Sequence, residues 1–486
     1  MDSSAEKSNK DSDAEPKFYS MLYNQLPDKR KSLLILAQIL ALLFLYTTLY
    51  GILGSDALPG SEIFALFFLF VSAHILGKLF IFIKLPRLIG MLVAGFLFRN
   101  LPFIPYFDHL STLWPMTLRN LTFVIILFKA GLGLDSKMLK TLKFIVLRLT
   151  FMPCIVETVI ASVTSYFLLD MPWTWAYMLG FMLSAVSSAV TVPGLLQYKD
   201  KSMGIKKGIP TLIIAASSLD DIVAITGFTI MFTITLSKGG NIWLLLLKGI
   251  FEPVSGIALG ALFGVILWVL PSSLSTSATT VYYHVILLCL MGFTGMFLSH
   301  KLDVAGIGPM MCLVMAFVAS LDWEKHVLQL EKIERVIDVM WITLEPFLFS
   351  LMGAELSLKT LKSNIGFTIL SILISLTFRI ITVMAVCIGG GFNFKEKIFI
   401  TVSWIPKATV QAAVGSQALD YVVAHGLSEE LKIHAEKILA AAVLSILLTA
   451  PAGAALIDIL GPYCLSDDSK SESEDKEKKT SSDQKA

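Results

Sequence analysis

The sequence predicts an all-α polytopic membrane protein of about fourteen transmembrane helices, arranged as two inverted repeats with two broken crossing helices. Three observations lead there. Of 486 residues, 55% are hydrophobic and only 16% charged, a balance that excludes a water-soluble domain. Apolar runs of roughly 17 to 30 residues, long enough for a bilayer, alternate with short polar turns. The second half of the chain also echoes the first at a nearly constant offset.

The elements follow in order. Residues 1–32 are polar and form an N-terminal tail. The first apolar run, 33–53, is too long for a signal-peptide core and is retained as a helix. Further spans are expected at 62–83, 86–100, 116–134, 144–170, 172–198 and 208–236. They are followed by 242–270, 281–300, 303–322, 341–359, 364–391, 394–422 and 432–460. The third, fourth and eleventh of these fourteen are short or interrupted by glycine. Residues 324–340, with apolar positions at helical spacing, are expected to lie along the membrane surface. The transmembrane domain therefore covers 33–461, and 462–486 is a serine-rich, mixed-charge tail read as disordered.

Lysine and arginine set the orientation. Lys29, Arg30 and Lys31 precede the first span, and every second loop thereafter carries the basic excess, including Lys137, Lys140, Lys143, Lys199, Lys201, Lys206 and Lys207. Both termini are accordingly expected to be cytoplasmic. The sequon Asn120-Leu-Thr122 sits at the start of a span, which argues against its use. The five cysteines have no paired spacing for disulfides or zinc, and no basic, aromatic-interleaved segment suggests nucleic acid.

The repeat appears on direct comparison. AGLGLDSKMLK (Ala130 to Lys140) resembles MGAELSLKTLK (Met352 to Lys362) at an offset of 222 residues, with Gly131, Leu134, Lys137, Leu139 and Lys140 matched by Gly353, Leu356, Lys359, Leu361 and Lys362. The two stretches end spans seven apart, so alternation points them in opposite directions. VSSAVTVP (Val186 to Pro193) and IPKATVQA (Ile405 to Ala412) form a second echo. Pro193 in one and Pro406 in the other are read as helix breaks, the device by which inverted-repeat transporters expose half-helix ends at a midplane site.

The buried charges fall on the same frame. Gly208 to Ser237 contains no charge except Asp220 and Asp221, an arrangement that costs roughly 2.5 to 3.5 kcal/mol per isolated charge at mid-bilayer. The offset of 222 also brings Glu157 onto Arg379, both deep in apolar spans, where they can pair. Lys407 follows Pro406, and its counterpart in the first repeat is Ser188. Adjacent helical residues point about 100° apart, so the two aspartates should face different neighbours. The expectation is that Asp220 pairs with Lys407 while Asp221 binds the ion, assisted by oxygens of Ser187, Ser188 or Thr191. Burial favours a protonated carboxyl and a neighbouring ammonium favours the ionised form. A carboxylate held between them takes a proton or Na+, one at a time.

At these residues the chain resembles the NHA-type sodium/proton exchangers, subfamily B of solute carrier family 9, within the cation/proton antiporter superfamily. The resemblance runs from about Gly54 to Leu460 and includes LGSDALPG and GIPTLIIAASSLDDIVAITGF. It implies an acidic ion-binding pair at Asp220 and Asp221, a membrane lysine at Lys407 and an intramembrane acid and arginine at Glu157 and Arg379. It also implies a homodimer in membrane lipid, a scaffold domain beside a mobile core, elevator-like exchange of Na+ or Li+ for H+, no cofactor, and residence in the plasma membrane, with endosomal or mitochondrial membranes as alternatives. Where that family is expected to read SPAVVVP, this chain reads SSAVTVP, placing hydroxyls at Ser188 and Thr191 beside the site. Cation preference and stoichiometry stay open on that account. Three other readings compete: an anion/proton symporter on the same fold, a transport-inactive regulatory homologue, and an intramembrane aspartyl protease. The last is weakened because both aspartates lie on one helix.

Overall fold

A bilayer core offers no water to receive backbone N–H and C=O groups, so an apolar chain must satisfy them within each segment. The computed structural model is accordingly helical through most of what it describes, residues 28–466 apart from 84, 102–112, 135–142, 202, 237–241, 271–277, 303, 305, 326 and 357. Most of both tails lies outside the described residues, but the first helix already begins at Asp28 and the last runs on to Cys464, so 462–464, expected to be disordered, are helical. Part of the first echo, including Lys137 and Lys140, lies outside them too.

The first half contains α1 (Asp28–Leu53), α2 (Glu62–Phe82), α3 (Arg87–Asn100), α4 (Leu113–Leu132), α5 (Lys143–Leu169), α6 (Trp173–Ser184), α7 (Ser188–Asp200) and α8 (Ile209–Leu236). After α9 (Ile242–Val269), the second half runs through α10 (Ala278–Lys301), α11 (Ile307–Trp323), α12 (Val327–Glu355), α13 (Leu358–Val386), α14 (Phe394–Val402), α15 (Thr409–Val414), α16 (Gln417–Ala424) and α17 (Glu429–Cys464). Among the described residues, eleven helical segments are long and apolar enough to cross a membrane. The shorter α3 and α11, and the 394–424 stretch assembled from α14, α15 and α16, account for the difference from fourteen expected runs.

Packing sorts the helices into two groups. In one, α3 lies against α2 and α12, α4 against α11 and α12, and α9 against α11. In the other, α5 lies against α6 and α13, α8 against α6, and α17 against α13, α14 and α16. The groups meet where α8 touches α9 and where α15 touches α4 and α12.

The two glycines matched by the echo show how deep the repeat runs. A side chain at Gly131 on α4 would collide with the Leu313 carbonyl on α11, and one at Gly353 on α12 with the Leu92 carbonyl on α3. Small residues let membrane helices approach closely. The fourth span thus seats on the tenth, and the eleventh on the third, as a twofold exchange of repeats requires.

Two further expectations are corrected. Residues 327–340 are not a surface helix: they form the first half of α12, with Gln329, Ile333 and Ile337 buried. Their apolar face packs on protein, where Gln329 meets His284 Nδ1 at 2.8 Å. Pro193 is not a helix break, because α7 runs through it from Ser188 to Asp200. The chain leaves helical form earlier, at 185–187, and Pro193, in the second turn of α7, removes one backbone hydrogen bond without ending the helix. The second break lies at 403–408 and contains Pro406. The sequon is inaccessible, with Asn120 and Thr122 both buried in α4.

Candidate functional site

The two interruptions meet inside the second group of helices. Ending α6 at Ser184 strands the last carbonyls of a helix in a place without water. Each finds a donor. Gln411 Nε2 donates to the carbonyls of Met182 and Ala185, both at 2.9 Å. Lys407 Nζ donates to Leu183 O and Arg379 Nη1 to Ser184 O. All three side chains come from the second repeat, and the two cations stand where the negative end of the α6 dipole favours them.

The opposite end of the gap exposes donors. Val186 N donates to Asp220 Oδ2 at 3.0 Å, and Ser187 N donates to the Pro406 carbonyl at 2.7 Å. The α7 N-terminus thus faces carboxylates, the favourable sense for its dipole. On the other strand of the crossing, Lys407 N donates to Thr449 Oγ1 at 2.9 Å. Each break is therefore saturated largely by groups brought from elsewhere, which explains how it persists without a proline at 185–187.

Four fully buried charged side chains form an alternating row. Asp220 Oδ2 accepts from Arg379 Nη2 at 2.8 Å, Arg379 Nη1 donates to Glu157 Oε2 at 2.6 Å, and Glu157 Oε1 pairs with Lys407 Nζ at 2.7 Å. The structure brings Glu157 and Arg379 together, but it does not join Asp220 to Lys407. The fork of a guanidinium spans two carboxylates at once, so Arg379 takes Asp220 as well as Glu157, and Lys407 is left to the second oxygen of Glu157. Two anions and two cations make the row neutral.

Asp221 stands outside that balance. It is buried, and among the described residues no cation pairs with it. Its Oδ2 accepts from Ser188 Oγ at 3.3 Å, and its Oδ1 has no partner. Of the other expected oxygens, Ser187 Oγ is buried and unpartnered. Thr191 is directed elsewhere, donating to Ser403 O at 3.4 Å. Sequence reasoning missed Gln411, Thr409 and Thr449, which are neutral. The available signal for Gln411 was its place as a lone amide four residues after Lys407 in apolar text.

A second charged cluster bridges the two groups of helices. Arg119 on α4, almost fully buried, pairs with Asp420 on α16 and with Glu355 at the end of α12. At the same end, marked by the edge-on contact of Phe232 and Tyr421 (5.4 Å), Thr233 on α8 donates to Glu252 on α9 at 3.1 Å.

Comparison with known proteins adds the following. A family model for "Sodium/hydrogen exchanger, transmembrane" matches residues 64–461. The chain is 41% identical over 438 residues to Sodium/hydrogen exchanger 9B2 of Homo sapiens, covering 89% of this chain and 80% of that one. It is 40% identical over 428 residues to Sodium/hydrogen exchanger 9B1 of Homo sapiens, covering 86% and 81%. Its fold resembles that of the sodium proton antiporter MjNhaP1 from Methanocaldococcus jannaschii, with a TM-score of 0.66 at 18% identity over 83% of this chain and 98% of that one.

Proposed function

This chain belongs to the sodium/hydrogen exchanger family, in its 9B branch, and on that premise we propose that a proton and an alkali cation, Na+ or Li+, take turns on Asp221. Membership makes it a multi-pass membrane transporter of the cation/proton antiporter kind and not an enzyme.

The observation that carries the reading is the unbalanced charge. The row Asp220, Arg379, Glu157, Lys407 sums to zero, so an ionised Asp221 leaves one uncompensated anion in a buried place. Such a charge is costly. A bound proton removes the cost, and so does a bound cation, but one carboxylate oxygen pair does not hold both. Ser188 and Ser187 offer oxygens beside it, while Asp220 acts through Arg379 and Val186 to hold the crossing in shape.

The group of helices carrying both breaks is the mobile core in this reading, and the group containing α2, α3, α4, α9, α11 and α12 is the scaffold through which a homodimer forms in lipid. The hydrogen bond from Ser187 N to Pro406 O joins the two breaks and supports their being carried together in that core. That is an elevator-like cycle, placed in the plasma membrane with both termini cytoplasmic.

The test is internal pH in liposomes containing the purified protein as Na+, Li+, K+ and choline are added in turn, beside the Asp221→Asn variant. Proton movement driven by Na+ or Li+ and lost in the variant is expected. Movement that follows chloride instead, or full activity in Asp221→Asn, rules the reading out.

A further inference from the structure

Gln411 has a feature that tying the helix break does not explain. Its side chain is fully buried on α15, and both of its amide protons are used, on Met182 O and Ala185 O at 2.9 Å each. Because both partners are carbonyl oxygens, only the nitrogen can face them, which fixes the amide's orientation by chemistry. The other half, Oε1, is thereby held rigidly and has no hydrogen-bond partner. A buried carbonyl without a donor costs free energy of about 1 to 3 kcal/mol.

It is not alone. Asp220 Oδ1, Asp221 Oδ1, Ser187 Oγ and Thr409 Oγ1 are likewise buried and unpartnered. These five oxygens belong to neighbouring pieces of the crossing. Gln411 grips Ala185, the next residue donates its N–H to Asp220, and Ser188 bonds Asp221. The short helix bearing Thr409 and Gln411 packs on α8, which carries both aspartates. Surplus acceptors without donors, gathered around an unbalanced carboxylate, are what a desolvated cation needs.

We infer that Gln411 Oε1 is a neutral oxygen ligand of the transported alkali cation, held in place by the two hydrogen bonds its own amide donates to the broken helix. The inference rests on the reading of Asp221 as the cation's carboxylate. It gives the second repeat a direct share in the site, since Asp220, Asp221 and Ser187 all come from the first. It also couples occupancy to shape, because movement of the α6 end displaces the ligand oxygen with it.

The test compares the apparent KM for Na+ and for Li+ with the maximal rate, in proteoliposomes of wild type, Gln411→Ala and Gln411→Glu, with melting temperatures recorded in choline and in Na+. Loss of the ligand in Gln411→Ala is expected to raise KM by 10-fold or more, the scale at which groups around a metal act, and to remove Na+-dependent stabilisation. Gln411→Glu, which keeps the volume and returns an oxygen while losing both donations, is expected to have a lower KM than Gln411→Ala. A role confined to tying the break predicts the reverse: a lower rate and melting temperature in both variants, unchanged KM, and the carboxylate the worse of the two because it faces two carbonyls. That result overturns the inference. Should Gln411→Ala not fold, Gln411→Glu decides alone, with a KM at or below wild type supporting the ligand role and a loss of rate at unchanged Na+-dependent stabilisation refuting it. If wild type itself moves no protons with any alkali cation, the functional reading fails first.

Discussion

Glu157 and Arg379 stand 222 residues apart in the chain and 2.6 Å apart in space. That separation is the offset at which AGLGLDSKMLK echoes MGAELSLKTLK, so the two charges occupy equivalent positions in the two repeats and meet where the repeats meet. One position carries an acid and its mate a base. A twofold axis would otherwise bring like charges together.

Neutralising one member of the row changes the field at Asp221. Glu157→Gln leaves Arg379 and Lys407 facing Asp220 alone, an excess of one positive charge that favours ionised Asp221. The pH of half-maximal exchange is expected to move lower, by on the order of one unit. The double variant Glu157→Gln/Lys407→Gln restores neutrality and should move it back. Rate against pH in liposomes checks both, and a profile that stays in place in the single variant refutes the argument.

Arg119 is expected to be a stability determinant. Removing it in Arg119→Ala leaves Asp420 and Glu355 facing one another without their guanidinium, a loss of roughly 3 to 5 kcal/mol for a broken buried pair. Arg119→Lys should recover only part of it, because an ammonium does not reproduce the fork. Thermal melting in detergent measures both.

The two hydroxyls that depart from the family's expected motif should separate. Ser188 touches Asp221 and Thr191 touches Ser403 O. Ser188→Ala is expected to change apparent cation affinity by about tenfold or more, the weight of a hydrogen bond to a charged group. Thr191→Val should leave the Na+ to Li+ preference where it is. Competition between the two cations at fixed pH reads this directly, and equal effects from both variants would count against the assignment.

Gly131→Ala and Gly353→Ala should be alike in cost. Each puts a methyl group into a carbonyl of the opposing helix, with overpacking worth about 1 to 3 kcal/mol. Similar drops in melting temperature are expected. A large effect from one and none from the other would mean that the two helix contacts are not equivalent.

The fold was legible because lipid imposes length and composition on each span, and because Gly131 and Gly353 repeat a packing need that leaves identical text. The charged residues were legible for a related reason: Asp220, Asp221, Glu157, Arg379 and Lys407 stand out in apolar surroundings whatever they touch. Their partners were not. Choosing Arg379 over Lys407 for Asp220 depends on where a long side chain ends, which spacing along a helix does not carry. The first break was misplaced for a similar reason. Proline marks a break by its own backbone, whereas 185–187 is held open by side chains more than 200 residues away. The amphipathic text of 324–340 gave the correct face for α12 and the wrong neighbour, since an apolar stripe looks the same against lipid and against protein.

The row of alternating charges also bears on how the protein is made. Asp220 and Arg379 are separated by 159 residues. At roughly 5 to 20 residues per second of synthesis, on the order of ten seconds pass between the emergence of the acid and of the base that will hold it. During that interval Glu157, Asp220 and Asp221 occupy nascent helices with no arginine or lysine from the second repeat to meet them. The carboxyls must wait as neutral acids, or the helices must delay full entry into the lipid, until the ribosome has delivered Arg379 and Lys407. Truncated chains ending before residue 379 should accordingly be retained at the insertion machinery longer than chains ending after 411.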